Sequence, residues 1–210
     1  LPASLFEAEI DRVTQGQDER LLDFSQLRQL TRSFLALYET HAGRPFPQDA
    51  QEQLSGAIEA VFASWNADKA AEYRRINQID ADMGTAVILQ RMVFGNTGGH
   101  SGAGVGFTRD PSTGEPRLWV DFLANAQGED VVSGRRNAHG HATLAAVAPD
   151  AWTQLQASAQ ALEQHFGDMQ DFEFTVQDGV LHMLQTRSAK RTPLAAARIA
   201  LDLLDEGLID

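Results

Sequence analysis

Apolar residues recur at three- and four-residue steps through the first third of the chain. Between residues 23 and 42 they lie on one helical face, namely Phe24, Leu27, Leu30, Phe34, Leu37 and Tyr38. Gly43 and the prolines that follow it end this helix. A second stripe runs from Leu54 to Trp65, and a shorter one begins near Asp68. The pattern predicts a helical region over residues 1–76 whose apolar stripes pack in a core.

From Gly84 onward, β-branched runs alternate with glycines. This sequence pattern predicts strands at residues 85–94, 102–109, 117–123, 171–177 and 180–187. A helical stripe from Trp152 to Phe166 separates the third strand from the fourth, and another helix begins after Pro193. The expected fold class is α+β, a helical subdomain followed by a lobe with a mainly antiparallel sheet and flanking helices.

Composition narrows the class of protein. A chain of 210 residues with 43% hydrophobic content is typical of a soluble globular protein, and no run of about 18 apolar residues predicts a membrane span. The formal net charge of −12 argues against a nucleic-acid partner, because such binding relies on clustered Lys and Arg. The absence of cysteine fits a reducing compartment, so we expect a cytoplasmic protein. Because the sequence starts at Leu1 and stops at Asp210, we expect it to be an internal piece of a longer chain.

Residues 171–187, DFEFTVQDGVLHMLQTR, read as a β-hairpin with one apolar and one polar face. Asp171, Glu173, Gln185 and Arg187 are the candidate polar set. Carboxylate and carboxamide oxygens suit Mg²⁺, which takes only one or two protein carboxylates and substrate phosphates. Arg187 could hold a phosphate in a bidentate fork. The structural alternative is a surface ion pair between Asp171 and Arg187.

The turn decides whether these residues share a face. A three-residue loop over residues 177–179 would place Asp171 opposite Gln185 and Val176 opposite Val180. All four polar residues would then lie together, and the residues Phe172, Phe174, Val180 and Leu184 would meet in the core. A two-residue Asp-Gly turn would slip the register by one and scatter the polar residues over both faces. We therefore predict the three-residue loop, with His182 on the apolar face.

Two further stretches have weaker signals. The glycine-rich segment FGNTGGHSGAGVGFTRD, residues 94–110, could let backbone N–H groups approach phosphates or could simply connect two strands. It matches neither the dinucleotide fingerprint nor the P-loop. Among the six histidines, His139 and His141 have a His-x-His spacing, but an exposed loop accounts for them without a metal.

Several long blocks resemble consecutive parts of pyruvate, phosphate dikinases. They are GRPFPQDAQEQL (43–54), YRRINQIDADMGTAV (73–87), QRMVFGN (90–96), SGAGVGFTRDPSTGE (101–115), FLANAQGEDVVSGRR (122–136), DMQDFEFTVQDGVLHMLQTRSAKRT (168–192) and IALDLLDEGLI (199–209). The likeness covers essentially the whole chain in order. The QTR motif is shared with phosphoenolpyruvate synthases, where AQGEDVV is less common.

The resemblance implies an ATP-grasp fold that binds Mg·ATP, with ATP as substrate and Mg²⁺ as cofactor. Arg187 resembles the catalytic, phosphate-clamping arginine. Glu173 and Gln185 resemble the metal and nucleotide ligands, Asp171 lies beside them, and Gln90 and Met92 lie where the family places adenine.

In such enzymes a histidine on a swivelling domain is pyrophosphorylated and phosphate takes the outer phosphoryl group. A distant pyruvate-binding barrel passes on the other, and the full-length enzyme is expected to be a homodimer. The domains implied are a helical subdomain (1–66), a connecting segment (67–90), the C-terminal ATP-grasp lobe (91–191) and the start of a linker to the phosphohistidine domain (192–210).

Some family features are changed or missing. Ala103 stands where a threonine is commoner and lacks its hydroxyl, and Ser188 follows QTR where Asn or Gly is commoner. The chain contains neither the family's phosphate-binding Lys and Arg lobe nor its Thr-Ser-His segment, so we expect it to be inactive alone. Two alternatives stay open, a phosphoenolpyruvate synthase-like protein and a non-catalytic nucleotide-binding module.

Overall fold

A computed structural model describes residues 1–17, 21–132 and 140–210. The described chain is mixed helix and sheet and forms two compact units, Leu1–Leu89 and Gln90–Asp210. The α+β class expected from the pattern is confirmed. In the described ranges, no helix combines the length and the apolar character needed to cross a membrane.

The first unit is helical. It contains α1 (Ala3–Thr14), α2 (Phe24–Ala42), α3 (Ala50–Ser64), α4 (Asp68–Asn77) and a 3₁₀ turn (Ala81–Met83). Asp23 starts α2 with a capping box, in which its carboxylate accepts from the Gln26 N–H and the Gln26 side chain accepts from the Asp23 N–H. Gly43 ends α2 with a left-handed φ of 67°, a conformation that a residue without Cβ adopts at no steric cost.

The apolar stripes of α2 and α3 are not core residues of the described chain, contrary to the sequence-based expectation. No residue of either helix is buried, and Phe24 and Phe62 are 79% and 49% exposed. An amphipathic stripe needs a second apolar layer to exclude water. The packing of α1 on α2, where the rings of Phe6 and Phe34 lie 5.1 Å apart, covers the α2 stripe only in part.

The second unit is built on a four-stranded antiparallel sheet in the order β2-β1-β3-β4. Its strands are β1 (Gly102–Phe107), β2 (Trp119–Ala124), β3 (Gln170–Gln177) and β4 (Val180–Ser188). Its helices are α5 (Gly128–Val132), α6 (Gly140–Val147), α7 (Pro149–Phe166) and α8 (Pro193–Asp205). The last four strand predictions and the helices after Pro149 and Pro193 are confirmed, whereas α5 and α6 were not predicted.

The segment 85–94 is not a strand, although its sequence is TAVILQRMVF. A strand is stabilised by ladder hydrogen bonds to a neighbour, and no described strand pairs with this segment. Ile88 is 88% exposed and Met92 is 64% exposed. High β propensity without a partner strand therefore does not place these residues in the sheet.

Helices α6 and α7 cover one face of the sheet. The buried cluster there comprises Val120, Phe122, Leu144, Ala148, Ala151, Leu155, Ala159, Phe172, Phe174 and Val176. On this face β1 presents Gly102, Gly104 and Gly106, and a Cβ added at these positions would lie 2.2, 2.4 and 2.5 Å from the rings of Phe122, Phe174 and Phe172. Neighbouring rings thus fill the space that β1 leaves empty, and packing explains these glycines.

A buried arginine connects the end of β1 to α7 and α8. Arg109 is 1% exposed and donates to Glu163 at 2.8 and 2.9 Å and to Glu206 at 2.7 Å, while Asp202 lies 3.5 Å away. Burial lowers the pKa of Arg109, but the hydrogen bonds to the two glutamates outweigh burial and raise it overall. The guanidinium stays charged and ties α8 to α7 and to the end of β1. A second buried cluster packs around α8 and consists of Met169, Ala189, Ala195, Ile199 and Leu203.

Candidate functional site

The β3–β4 hairpin closes with a two-residue turn and not with the predicted three-residue loop. Gln177 pairs with Val180, which leaves Asp178 and Gly179 as the turn, with φ of 52° and 83°. Positive φ at both positions is the type I′ geometry, whose twist matches that of the flanking strands. Val176 consequently faces Leu181, and Val180 is 54% exposed instead of joining the core.

A β-bulge compensates for the shorter turn. Phe174 pairs with Met183, but Glu173 pairs with Gln185, so Leu184 is an extra residue in β4. An extra residue shifts the register of one strand by one position. Beyond the bulge Asp171 faces Arg187, in place of the predicted Asp171–Gln185 pair. The four polar residues still share one face, for a reason that the sequence interpretation did not include.

The polar face, defined as Asp171, Glu173, Gln185 and Arg187, consists of two hydrogen-bonded cross-strand pairs. Gln185 Nε2 donates to Glu173 Oε1 at 2.7 Å, and Arg187 Nε donates to Asp171 Oδ2 at 2.7 Å. Asp171 is 9% exposed, whereas the Arg187 side chain is 65% exposed. The ion pair proposed as the structural alternative is therefore present, and the inner carboxylate anchors the outer guanidinium.

Arg187 keeps donors available for another anion. Its Nε contacts Asp171, and its two terminal nitrogens make no hydrogen bond to any residue that the structure describes. The hydrogen bond to Asp171 raises the pKa of Arg187 above its ordinary value, so the group is charged at any physiological pH. A guanidinium held at Nε and free at its terminal nitrogens can grip two phosphate oxygens at once.

The donor set fits Mg²⁺ bound mainly through phosphates. Among the described residues, no group of three or more His, Asp or Glu side chains could hold a metal alone. Glu173 contributes a carboxylate, and the Gln185 carbonyl oxygen accepts from no described donor because the pair bonds through Nε2. One carboxylate and one amide oxygen match the small protein share that Mg²⁺ takes when phosphates and water complete its shell.

A cavity of about 630 Å³ opens where the polar face ends, toward the hairpin turn. It is lined by Gln90, Arg91, Val93, Gln177, Asp178, Val180, His182, Met183 and Leu184. Gln90 lines this cavity, whereas Met92 is not among the lining residues and is 64% exposed.

His182 lies on the opposite face from the one predicted. It pairs with Thr175, and Thr175 shares its side of β3 with Glu173 because strand side chains alternate. The shorter turn moved every residue between 180 and 183 to the other face. The sequence interpretation therefore missed His182, Gln177 and Leu184 as cavity residues, and the Asp-Gly pair was the signal that could have revealed them.

Several backbone N–H groups of the glycine-rich loop are bonded within the unit. The N–H groups of Phe94, Gly95 and Gly98 donate to the side-chain oxygens of Gln177, Gln127 and Asn125 at 2.8, 3.3 and 3.2 Å. These three N–H groups are therefore not available to a phosphate. Ala103, which lacks the hydroxyl of the commoner threonine, is 0% exposed.

The His-x-His pair, His139 and His141, is only partly within the described residues. His141 stacks on Trp152 with ring centroids 5.3 Å apart, while His139 lies outside the described residues.

Comparison with known proteins gives one consistent result. The family model for the pyruvate phosphate dikinase AMP/ATP-binding domain matches residues 14–146 and 141–207. The chain is 48% identical over its whole length to pyruvate, phosphate dikinase of Clostridium symbiosum, of which it covers 24%. It is 46% and 44% identical to the chloroplastic enzymes of Flaveria pringlei and Zea mays, covering 22% of each. The chain spans about a quarter of the length of these relatives and belongs to the pyruvate, phosphate dikinase AMP/ATP-binding domain family.

Proposed function

We propose that this chain binds Mg·ATP along β4, with the phosphates at the polar face and the base in the adjoining cavity. The observation that carries the proposal is the continuity of the two. From Arg187 to Val180 the strand spans about 23 Å, at roughly 3.3 Å per residue. Charged and metal-binding groups occupy one end, and Val93, Val180 and Leu184 give the other end an apolar lining. This order matches the order of chemistry along a nucleoside triphosphate.

Each residue of the polar face has a separate role in this proposal. Arg187 donates to the outer phosphates with its free terminal nitrogens, while Asp171 fixes the direction in which the guanidinium points. Glu173 and Gln185 would hold Mg²⁺. The ion, when bound, would neutralise charge on the phosphate oxygens and so aid their transfer.

In the full-length protein, the proposed activity is that of a pyruvate, phosphate dikinase. The bound ATP would supply phosphoryl groups to a histidine on another domain and to phosphate, and a pyruvate-binding barrel would complete the interconversion of pyruvate and phosphoenolpyruvate. We further propose that the full-length protein is a cytoplasmic homodimer. The proposed domains are those given above, with the bounds 1–66, 67–90, 91–191 and 192–210. We expect these 210 residues alone to show no turnover.

The direct test measures ATP binding by the full-length protein with and without Mg²⁺, using calorimetry. Replacing Glu173 by alanine removes a charged ligand, and we expect ATP in the presence of Mg²⁺ to bind about ten- to a hundredfold more weakly. The matched control is Asp205→Ala, which removes an exposed carboxylate from α8 and should leave the affinity unchanged. Equal affinities in both variants would refute the proposed site.

A further inference from the structure

The tip of the hairpin is bonded to the glycine-rich loop at several points. Thr97 Oγ1 donates to Asp178 Oδ1 at 3.1 Å, and the Asp178 and Gly179 N–H groups donate to Ser101 Oγ and the His100 carbonyl at 3.0 and 2.9 Å. These bonds fix the loop and the turn as one body. None of these bonds is made by residues 90–93.

The segment Gln90–Phe94 forms one wall of the cavity without support from the sheet. Gln90, Arg91 and Val93 line the cavity, yet the segment is in no ladder, so backbone pairing does not fix its position. The Phe94 N–H donates to Gln177 Oε1 at 2.8 Å. Gln177 also lines the cavity and is the last residue of β3, in the opposite wall. This hydrogen bond joins the end of β3 directly to the end of the wall. The next residue, Gly95, is held separately, by the Ala126 N–H and by Gln127 Oε1.

We propose that Gln177 is a positioning residue, which sets the separation between the two walls of the cavity by accepting the Phe94 N–H. The inference rests on the proposed function, because the separation matters only if the cavity receives the base of a nucleotide. Gln177 acts through the segment Gln90–Phe94 and not by contact with the phosphates. Its loss should weaken nucleotide binding and leave the phosphoryl-transfer step, which depends on the polar face, near its parent rate.

Two substitutions in the full-length protein distinguish the effect of the hydrogen-bond acceptor from the effect of side-chain size. Gln177→Leu keeps the size but has no acceptor, whereas Gln177→Glu keeps an oxygen that can accept from Phe94. A net hydrogen bond of typical strength corresponds to about a fivefold change in affinity. We expect Gln177→Leu to raise KM for ATP about fivefold with kcat nearly unchanged, and Gln177→Glu to restore the parent KM.

Amide hydrogen exchange of the peptide containing Phe94 supplies a readout that does not depend on activity. Protection should fall in Gln177→Leu and be kept in Gln177→Glu. The proposal is overturned if Gln177→Leu has the parent exchange rate at Phe94, or if its KM for ATP equals that of the parent. A parent protein that binds no ATP would instead refute the proposed function, and the exchange rates would still decide whether Gln177 holds the segment.

Discussion

Replacing Arg187 tests the proposed site most sharply, because its expected effects on rate and on stability differ greatly in size. Its guanidinium is 65% exposed, so the ion pair with Asp171 contributes only about 0–1 kcal/mol to folding. In the reaction, the free terminal nitrogens would face charge that grows on the transferring phosphates. Losing such a preorganised donor costs on the order of 3 kcal/mol in the transition state, or about a hundredfold in rate.

We predict that a lysine at position 187 cannot perform the function of the arginine. Arg187 contacts Asp171 through Nε and leaves its terminal nitrogens for phosphate, whereas lysine has one nitrogen for both tasks. We therefore expect Arg187→Lys to lose nearly as much rate as Arg187→Ala. Arg75→Lys is the matched control, since Arg75 is an exposed arginine that pairs with a single carboxylate, Glu72.

The assay is single-turnover formation of AMP from Mg·ATP by the full-length protein, with circular dichroism as a check on folding. The parent and Arg75→Lys should form AMP at the same rate, and both Arg187 variants should be about a hundredfold slower with unchanged spectra. AMP formation at the parent rate in both Arg187 variants would show that Arg187 is only a surface ion-pair partner. The polar face would then lose its main support as the reaction site.

Two other predictions concern register and stability. Deleting Leu184 should leave Phe174 opposite Met183 and Glu173 opposite Gln185 in a ladder without a bulge, so the polar face should persist and calorimetry should still detect ATP binding; loss of ATP binding with an unchanged circular dichroism spectrum would contradict this. Arg109→Met leaves Glu163 largely buried and uncompensated, and urea unfolding should show a loss of about 3–5 kcal/mol. Arg117→Met, at an exposed guanidinium, should leave the midpoint unchanged, and equal midpoints for the two variants would disprove the structural role of Arg109.

The elements with strong local periodicity could be predicted from the sequence. In α7 the residues Ala151, Leu155 and Ala159 are buried at helical spacing, as the period of the stripe predicts. In β3 the apolar residues Phe172, Phe174 and Val176 are buried at alternate positions as predicted, but Asp171 and Thr175 on the other side are buried as well. The segment 85–94 has an equally strong β signal but no described partner strand. Propensity records how well a residue fits a sheet, and it carries no information on whether a neighbouring strand is present.

The polar face was predicted correctly in membership and wrongly in register. The Asp178-Gly179 pair favours a two-residue turn, and the polar alternation on both strands favours a common face. Without a bulge these two signals exclude each other, so one had to be set aside. The bulge at Leu184 satisfies both, and its position depends on packing around Phe174 and Met183 that a one-dimensional pattern does not contain.

The bulge also divides the hairpin into two halves that can vary independently. On the turn side, residues 174–183 follow the spacing imposed by Asp178 and Gly179, and on the other side Glu173 and Gln185 follow that of their own ladder. A gain or loss of one residue in the turn could be absorbed by losing or shifting the extra residue, without moving the groups at the far end. The cavity end of the hairpin could therefore change in length while the pair formed by Glu173 and Gln185 keeps its geometry.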